Sequence, residues 1–150
     1  MTLKAAVLAG STSDAELVEK TVKMLSRFGI EAVSSFISAH RQPEKLESFI
    51  KEHDDEVFCY IAIAGLAAHL PGVIASRTIK PVIGVPGGGA AGGLDSLLSI
   101  VQMPRGIPVA TVGIKISENA AILAAEIAAL FDEDVRKKLA VYRQELKEQQ

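Results

Sequence analysis

The sequence predicts an α/β protein with one parallel β-sheet covered by helices on both faces. Three observations carry that expectation. Short apolar runs of strand length alternate with longer helical patterns, and the alternation repeats five times along 150 residues. The first run, Ala5 to Ala9, is apolar throughout, as expected of a strand buried on both faces. Gly and Pro punctuate the junctions between the runs. A chain of this length buries roughly 68–70% of its unfolded surface, enough for one core without staples. No linker or internal repeat divides it, so a single domain over 1–150 is expected.

The elements follow in order. Ala5 to Ala9 form the first strand, ended by Gly10. Leu17, Val18, Val22, Leu25 and Phe28 share one face of the first helix. Ser13 and Glu16 are spaced as a capping box, and Gly29 is placed as a C-terminal cap. Glu31 to Ile37 make a second strand. Pro43 opens a second helix with Leu46, Phe49 and Ile50 inward. Val57 to Ile63 make a third strand, and Gly65 and Pro71 punctuate the loop and helix that follow. Pro81 to Val85 make a fourth strand. A glycine-rich loop, Gly87 to Gly93, leads into a helix from Leu94 to Met103. Pro108 to Ile114 read as a fifth strand, Ser117 to Leu130 as an Ala-rich helix, and Glu133 to Gln149 as a last, charged helix.

Composition narrows the function. Sixteen basic and 18 acidic residues leave a net charge of −2, and no basic patch speaks for nucleic acid. The single cysteine, Cys59, excludes a disulfide framework and a cysteine-built metal site. It lies in an apolar run, so a buried strand residue in a reducing cytoplasm is expected. The N-terminus lacks the pattern of a secretory signal, and no 18 uninterrupted apolar residues occur that could span a membrane.

In parallel sheets, ligands bind beyond the carboxyl ends of the strands, where the strand order reverses. That rule selects four loops. Gly10-Ser11-Thr12-Ser13-Asp14 offers close backbone approach, hydroxyl donors and free N–H groups for an anion, though an ordinary capped turn has the same composition. It has neither the Gly-Lys-Ser/Thr of a P-loop nor the spaced glycines of a dinucleotide fingerprint. Asp14 can accept from ribose hydroxyls or simply favour the helix dipole. Ser38-Ala39-His40-Arg41 pairs an imidazole suited to proton transfer near neutral pH with a guanidinium suited to phosphate. Ala64 to His69 brings small residues and a second histidine, and the fourth loop is Gly87 to Gly93. His53 lies in a charged helix end and reads as a solvated surface residue. His40 and His69 lack the partners of a metal site, and Ser11 and Ser13 lack a nucleophile elbow. The residues by themselves reach an α/β enzyme that binds a small phosphorylated ligand and uses His40.

Four segments together resemble the PurE family of carboxyaminoimidazole ribonucleotide mutases and related carboxylases: Gly10–Asp14, Ser38–Arg41, Ala67-Ala68-His69-Leu70-Pro71-Gly72, and Asp95–Val109. They occur in the family order, and the resemblance runs from Val7 to about Leu130. It implies a three-layer α/β/α, flavodoxin-like fold with a five-stranded parallel sheet and an extra C-terminal helix, about 133–150, that reaches a neighbouring subunit of a homo-octamer. The implied reaction converts N5-carboxyaminoimidazole ribonucleotide to 4-carboxy-5-aminoimidazole ribonucleotide in purine biosynthesis, with no organic cofactor or metal. By motif, His40 would be the general acid/base. Ser11, with Ser13 in the same turn, and Arg41 would take the phosphate, Asp14 the ribose, and Ser38, Ala39, Gly65, His69 and Leu70 the base. Three features depart from the mutase pattern. Leu66 stands where the mutases usually have a second glycine, the Lys115–Glu118 loop is short, and the triple glycine at 87–89 is unusual. The related direct carboxylases tend to replace Ala-Ala-His with an Arg-Ser-Asn type of sequence, so Ala67-Ala68-His69 favours the mutase. The rival expectations are a carboxylase using free carbon dioxide and, more remotely, a non-catalytic flavodoxin-like nucleotide-binding module.

Overall fold

The computed structural model describes residues 2–149; Met1 and Gln150, the outer limits of the expected domain and last helix, lie outside them. Among the described residues, five parallel strands form one sheet: β1 (Lys4–Ala9), β2 (Glu31–Phe36), β3 (Cys59–Ala64), β4 (Val82–Pro86) and β5 (Ala110–Thr111). Their spatial order is β2-β1-β3-β4-β5, so the winding direction reverses between β1 and β3. Among the described residues, four α-helices lie between successive strands, α1 (Ala15–Arg27), α2 (Pro43–His53), α3 (Leu70–Ala75) and α4 (Leu94–Val101), and two follow β5, α5 (Ser117–Ala128) and α6 (Glu133–Glu148).

Successive strand side chains point to opposite faces, and the two cores follow that alternation. Ala5, Val7 and Ala9 of β1 join Cys59, Ile61 and Ile63 of β3 beneath α1, α5 and α6. Ala6 and Leu8 join Tyr60, Ala62 and Ala64 beneath α2, α3 and α4. This is the expected three-layer arrangement. Small residues set the spacing. Five fully buried alanines of α5 allow it to pack closely on α1. A Cβ at Gly84 would come within 2.4 Å of Ile100 Cγ2, so the glycine admits α4 against β4. Buried hydroxyls are satisfied: Thr21 and Ser117 both donate to the Leu17 carbonyl, at 2.7 and 3.0 Å. Burial pushes the Cys59 thiol up to about 12, leaving it protonated and inert at neutral pH.

Several boundaries differ from expectation, for local reasons. The expected Ser13–Glu16 capping box is replaced by a 3-10 turn over Thr12–Asp14, capped by Ser11, whose Oγ accepts from the Ser13 N–H. Helix α4 stops at Val101, because Met103 precedes Pro104 and is steered away from helical geometry. Strand β5 keeps only two residues. It is an edge strand, and Gly113 and a left-handed Lys115 (φ 60°) turn the chain away. His53 is half-buried against Phe49, with ring centroids 4.4 Å apart, and bonds to Glu56; it is not a freely solvated residue. Gly29 does take the left-handed cap (φ 76°), and the Ile30 N–H reaches back to the Leu25 carbonyl.

Helix α6 begins at Asp132, whose carboxylate accepts from the Val135 N–H at 2.9 Å. Val135 and Leu139 are buried against the chain's own core, and Tyr142 meets Phe28 edge-on at 5.5 Å. Val135, Leu139, Tyr142 and Leu146 form a narrow apolar stripe on this charged helix, and Leu146, at its far end, stays 42% exposed. Among the described residues, no helix is long and apolar enough to cross a membrane.

Candidate active site

The carboxyl ends of β1, β3 and β4 converge where the strand order reverses, and their loops are laced together by backbone. The Gly10 N–H bonds to Ile63 O at 3.1 Å, and the Ile37 N–H, just after β2, to Ala9 O at 2.8 Å. The Gly87 N–H bonds to Ala64 O at 2.9 Å, and the Leu66 N–H to Gly88 O at 3.1 Å. Gly65 is needed in this weave, because a Cβ there would lie 2.8 Å from Gly88 O.

An open pocket of about 610 Å³ lies between these loops, within the range of small-molecule sites. All ten sequence-selected residues line it: Ser11, Ser13 and Asp14 after β1; Ser38, Ala39, His40 and Arg41 after β2; Gly65, His69 and Leu70 after β3. Gly87 and Gly88 close the wall on the β4 side.

Each candidate side chain has a local reason for its position. Ser38 holds the turn after β2, its Oγ accepting from the Arg41 N–H at 3.2 Å, while the Gln42 N–H bonds to Ser38 O at 2.8 Å. This turn presents His40. The Arg41 guanidinium donates to Gly10 O at 3.3 Å, which places a fixed cation beside the hydroxyls of Ser11 and Ser13. Cation, hydroxyls and the start of the α1 segment together suit a phosphate. His69 immediately precedes α3, where Pro71 fits the first turn.

The two histidines come from different loops and meet. His40 Nε2 and His69 Nδ1 lie 2.6 Å apart, with ring centroids at 4.7 Å and planes at 76°. Asp14 sits deeper in the pocket wall. Removal from water pushes its carboxyl up from the ordinary range, and the charge of Lys115 draws it part of the way back. Among the described residues, no group of three or more His, Cys, Asp or Glu gathers to hold a metal.

Lys115 is the residue that sequence reasoning missed. A Cβ at Gly88 would fall 2.8 Å from Lys115 Cε, so the lysine stem runs along the back of the glycine wall toward Asp14. Only the oddity of the short Lys115–Glu118 loop pointed there, and a lysine in a left-handed conformation has no sequence signal. The departure at Leu66 also has a structural meaning. Leu66 has φ 54°, a conformation that glycine adopts without strain, and its side chain is 62% exposed at the pocket.

Residues 4–149 match the family model described as AIR carboxylase. The chain is 57% identical over 141 residues to the N5-carboxyaminoimidazole ribonucleotide mutase of Methanocaldococcus jannaschii, covering 94% of this chain and 88% of that protein. It is 47% identical over 128 residues to the phosphoribosylaminoimidazole carboxylase of Candida albicans, covering 84% of this chain and 22% of that longer protein. Among solved structures, the PurE of Treponema denticola superposes with a TM-score of 0.90 at 32% identity, covering 97% of this chain and 92% of that one.

Proposed function

Because the chain belongs to the AIR carboxylase family, we propose that it is an isomerase that converts N5-carboxyaminoimidazole ribonucleotide to 4-carboxy-5-aminoimidazole ribonucleotide in purine biosynthesis. The observation that carries the reading is the convergence of His40, Arg41, Ser11, Asp14 and His69 on one pocket, in a chain so similar over most of its length to a mutase.

The chemistry needs few parts. The carboxyl on the exocyclic nitrogen is a carbamate. When His40 gives that nitrogen a proton, the N–C bond breaks and carbon dioxide departs. Ring carbon C4 is enamine-like, and its electron pair attacks the carbon dioxide held beside it. C4 then carries both a hydrogen and the new carboxylate. His40 takes the C4 proton, the ring recovers aromaticity, and one proton given equals one proton returned. Neither step needs an electron sink beyond the ring itself, so no organic cofactor or metal is invoked. The pocket's contribution is proximity, because carbon dioxide kept within it recombines before it diffuses away.

Ser11, Ser13 and Arg41 hold the phosphate in this reading, and Asp14 accepts from the ribose. Ser38, Ala39, Gly65, His69 and Leu70 line the base. The chain acts as a single catalytic domain within a homo-octamer in the cytoplasm. Exposed Leu94, Leu98 and Val101 along α4 support association between copies.

The deciding assay supplies the N5-carboxylated nucleotide and, separately, aminoimidazole ribonucleotide with bicarbonate. Turnover of the first alone is expected; turnover only of the second would replace the mutase by a direct carboxylase, the activity named for the Candida relative. His40→Asn should lower kcat by about 10²–10⁴-fold while nucleotide binding persists. A folded His40→Asn protein with near-normal turnover would remove His40 from the mechanism.

A further inference from the structure

Leu66 holds a place in the pocket wall that packing within the chain does not explain. Among the described residues, two non-glycine residues take a left-handed backbone, Leu66 (φ 54°) and Lys115 (φ 60°). Such a conformation strains a residue with a Cβ and persists only where something outweighs the strain. For Lys115 the compensation is visible. Its N–H donates to Pro86 O at 2.7 Å, and its stem packs along Gly88. At Leu66 only the backbone is held, through the N–H bond to Gly88 O at 3.1 Å. The side chain joins neither core and lines the pocket with 62% of its surface exposed. An apolar group fixed at its root and uncovered at its end fits a role toward what enters the pocket.

We propose that Leu66 is a specificity-determining residue: its side chain forms an apolar lip over the base end of the nucleotide and keeps the freed carbon dioxide beside C4. This role rests on the mutase reading. Leu66 follows Gly65 and precedes His69 and Leu70 in the loop that lines the base in that reading, while Ser11, Ser13 and Arg41 come from the loops after β1 and β2. Carbon dioxide is uncharged and a weak hydrogen-bond acceptor, so the polar groups of the pocket give it little hold. An apolar group above the ring blocks its exit and excludes the water into which it would pass. Leu66 exchanges no proton and forms no bond. The N–C bond breaks and the C4–C bond forms with electron pairs of the nucleotide, and His40 carries the proton. Leu66 sets the ratio of recapture to escape. That ratio separates carboxyl transfer within one bound nucleotide from a carboxylation that draws on dissolved carbon dioxide.

The test follows the carboxyl carbon. The parent, Leu66→Met, Leu66→Ala and Leu66→Gly are each given N5-carboxyaminoimidazole ribonucleotide labelled with 13C in its carboxylate. The buffer holds unlabelled bicarbonate, with carbonic anhydrase to clear free carbon dioxide. Mass spectrometry reads the label in the 4-carboxy product, and chromatography reads the aminoimidazole ribonucleotide left behind. The parent should pass its label to the product, and Leu66→Met, which keeps the apolar bulk, should do the same. Leu66→Ala and Leu66→Gly should each raise the ratio of escape to recapture about tenfold, the scale of a small apolar difference in a pocket. Alanine keeps the backbone strain and glycine removes it, so equal leakage from both assigns the effect to the side chain.

Equal retention in the parent and every variant would overturn the role. Leakage from Leu66→Gly alone would also overturn it, by tracing the effect to loop freedom. A fall in sedimentation coefficient with unchanged retention would give the side chain to a neighbouring copy instead. A parent that does not convert the labelled nucleotide removes the mutase reading and the lip with it, a result distinct from conversion with equal retention. The substitutions fall on an exposed side chain, so folding is expected to survive them.

Discussion

At Leu66 a branched side chain occupies a left-handed backbone position where glycine would rest without strain. The left-handed region costs a non-glycine residue roughly 1–2 kcal/mol. Glycine's extra freedom in the unfolded chain returns about 0.5–1 kcal/mol of that. Leu66→Gly is therefore expected to stabilise the fold by up to about 1 kcal/mol. Leu66→Ala, which keeps the strain, should not. Thermal unfolding of the two variants separates them, and a Leu66→Gly protein less stable than Leu66→Ala would contradict the argument. Arg41 carries a different expectation. Its guanidinium is bonded to Gly10 O, next in the chain to the Ser11–Ser13 turn, so Arg41→Ala should weaken nucleotide binding by roughly 1.5–3 kcal/mol. The loss should vanish for the nucleoside without its phosphate. Calorimetry on both ligands checks this, and a mutant that keeps the parent's preference for the nucleotide would move phosphate recognition elsewhere.

Helix α6 shows what one element's pattern can say. Its stripe of Val135, Leu139, Tyr142 and Leu146 was legible as apolar, but the pattern could not say what covers it. The fold buries the first two on the chain's own core and leaves Leu146 open. Leu139→Ala should thus cost about 2–4 kcal/mol in denaturant unfolding, as for other large-to-small core changes, and removal of residues 133–149 should prevent soluble folding. Leu146→Ala should leave subunit stability within about 0.5 kcal/mol; a fall in sedimentation coefficient on that change alone would show that the helix tip reaches a neighbour. Elements with a strong period or a continuous apolar run were readable, as were the caps that depend on glycine. Ends governed by neighbours were not. Strand β5 shrank because pairing on one side does not hold it past Thr111, and the Ser13 cap gave way because Ser11 was better placed to accept. The candidate site was legible as loops, because the strand-end rule needs only the order of elements. The meeting of His40 with His69 was not, because residues 29 positions apart come together only through the β2-β1-β3 order.

The whole molecule leaves apolar surface uncovered. Leu94, Leu98 and Val101, spaced by four and three, line the outside of α4, and each is between 45 and 52% exposed. If copies associate through that face, Leu98→Lys should reduce the sedimentation coefficient while leaving the circular dichroism of the subunit unchanged. An unaltered large assembly would place the interface elsewhere. The laced loops have a consequence that solvent isotope can read. Gly10, Leu66 and Gly87 lie at the open end of the molecule, yet each N–H is spent on a backbone carbonyl, of β3 for Gly10 and Gly87 and of the Gly88 loop for Leu66. Their amides should therefore exchange with deuterium slowly, on the schedule of the sheet rather than of a surface loop. A wall already ordered in this way has little freedom left to lose on meeting a nucleotide, so occupancy of the pocket should change the exchange of these three amides far less than that of His40 and Arg41, whose turn is tied to the sheet by fewer bonds.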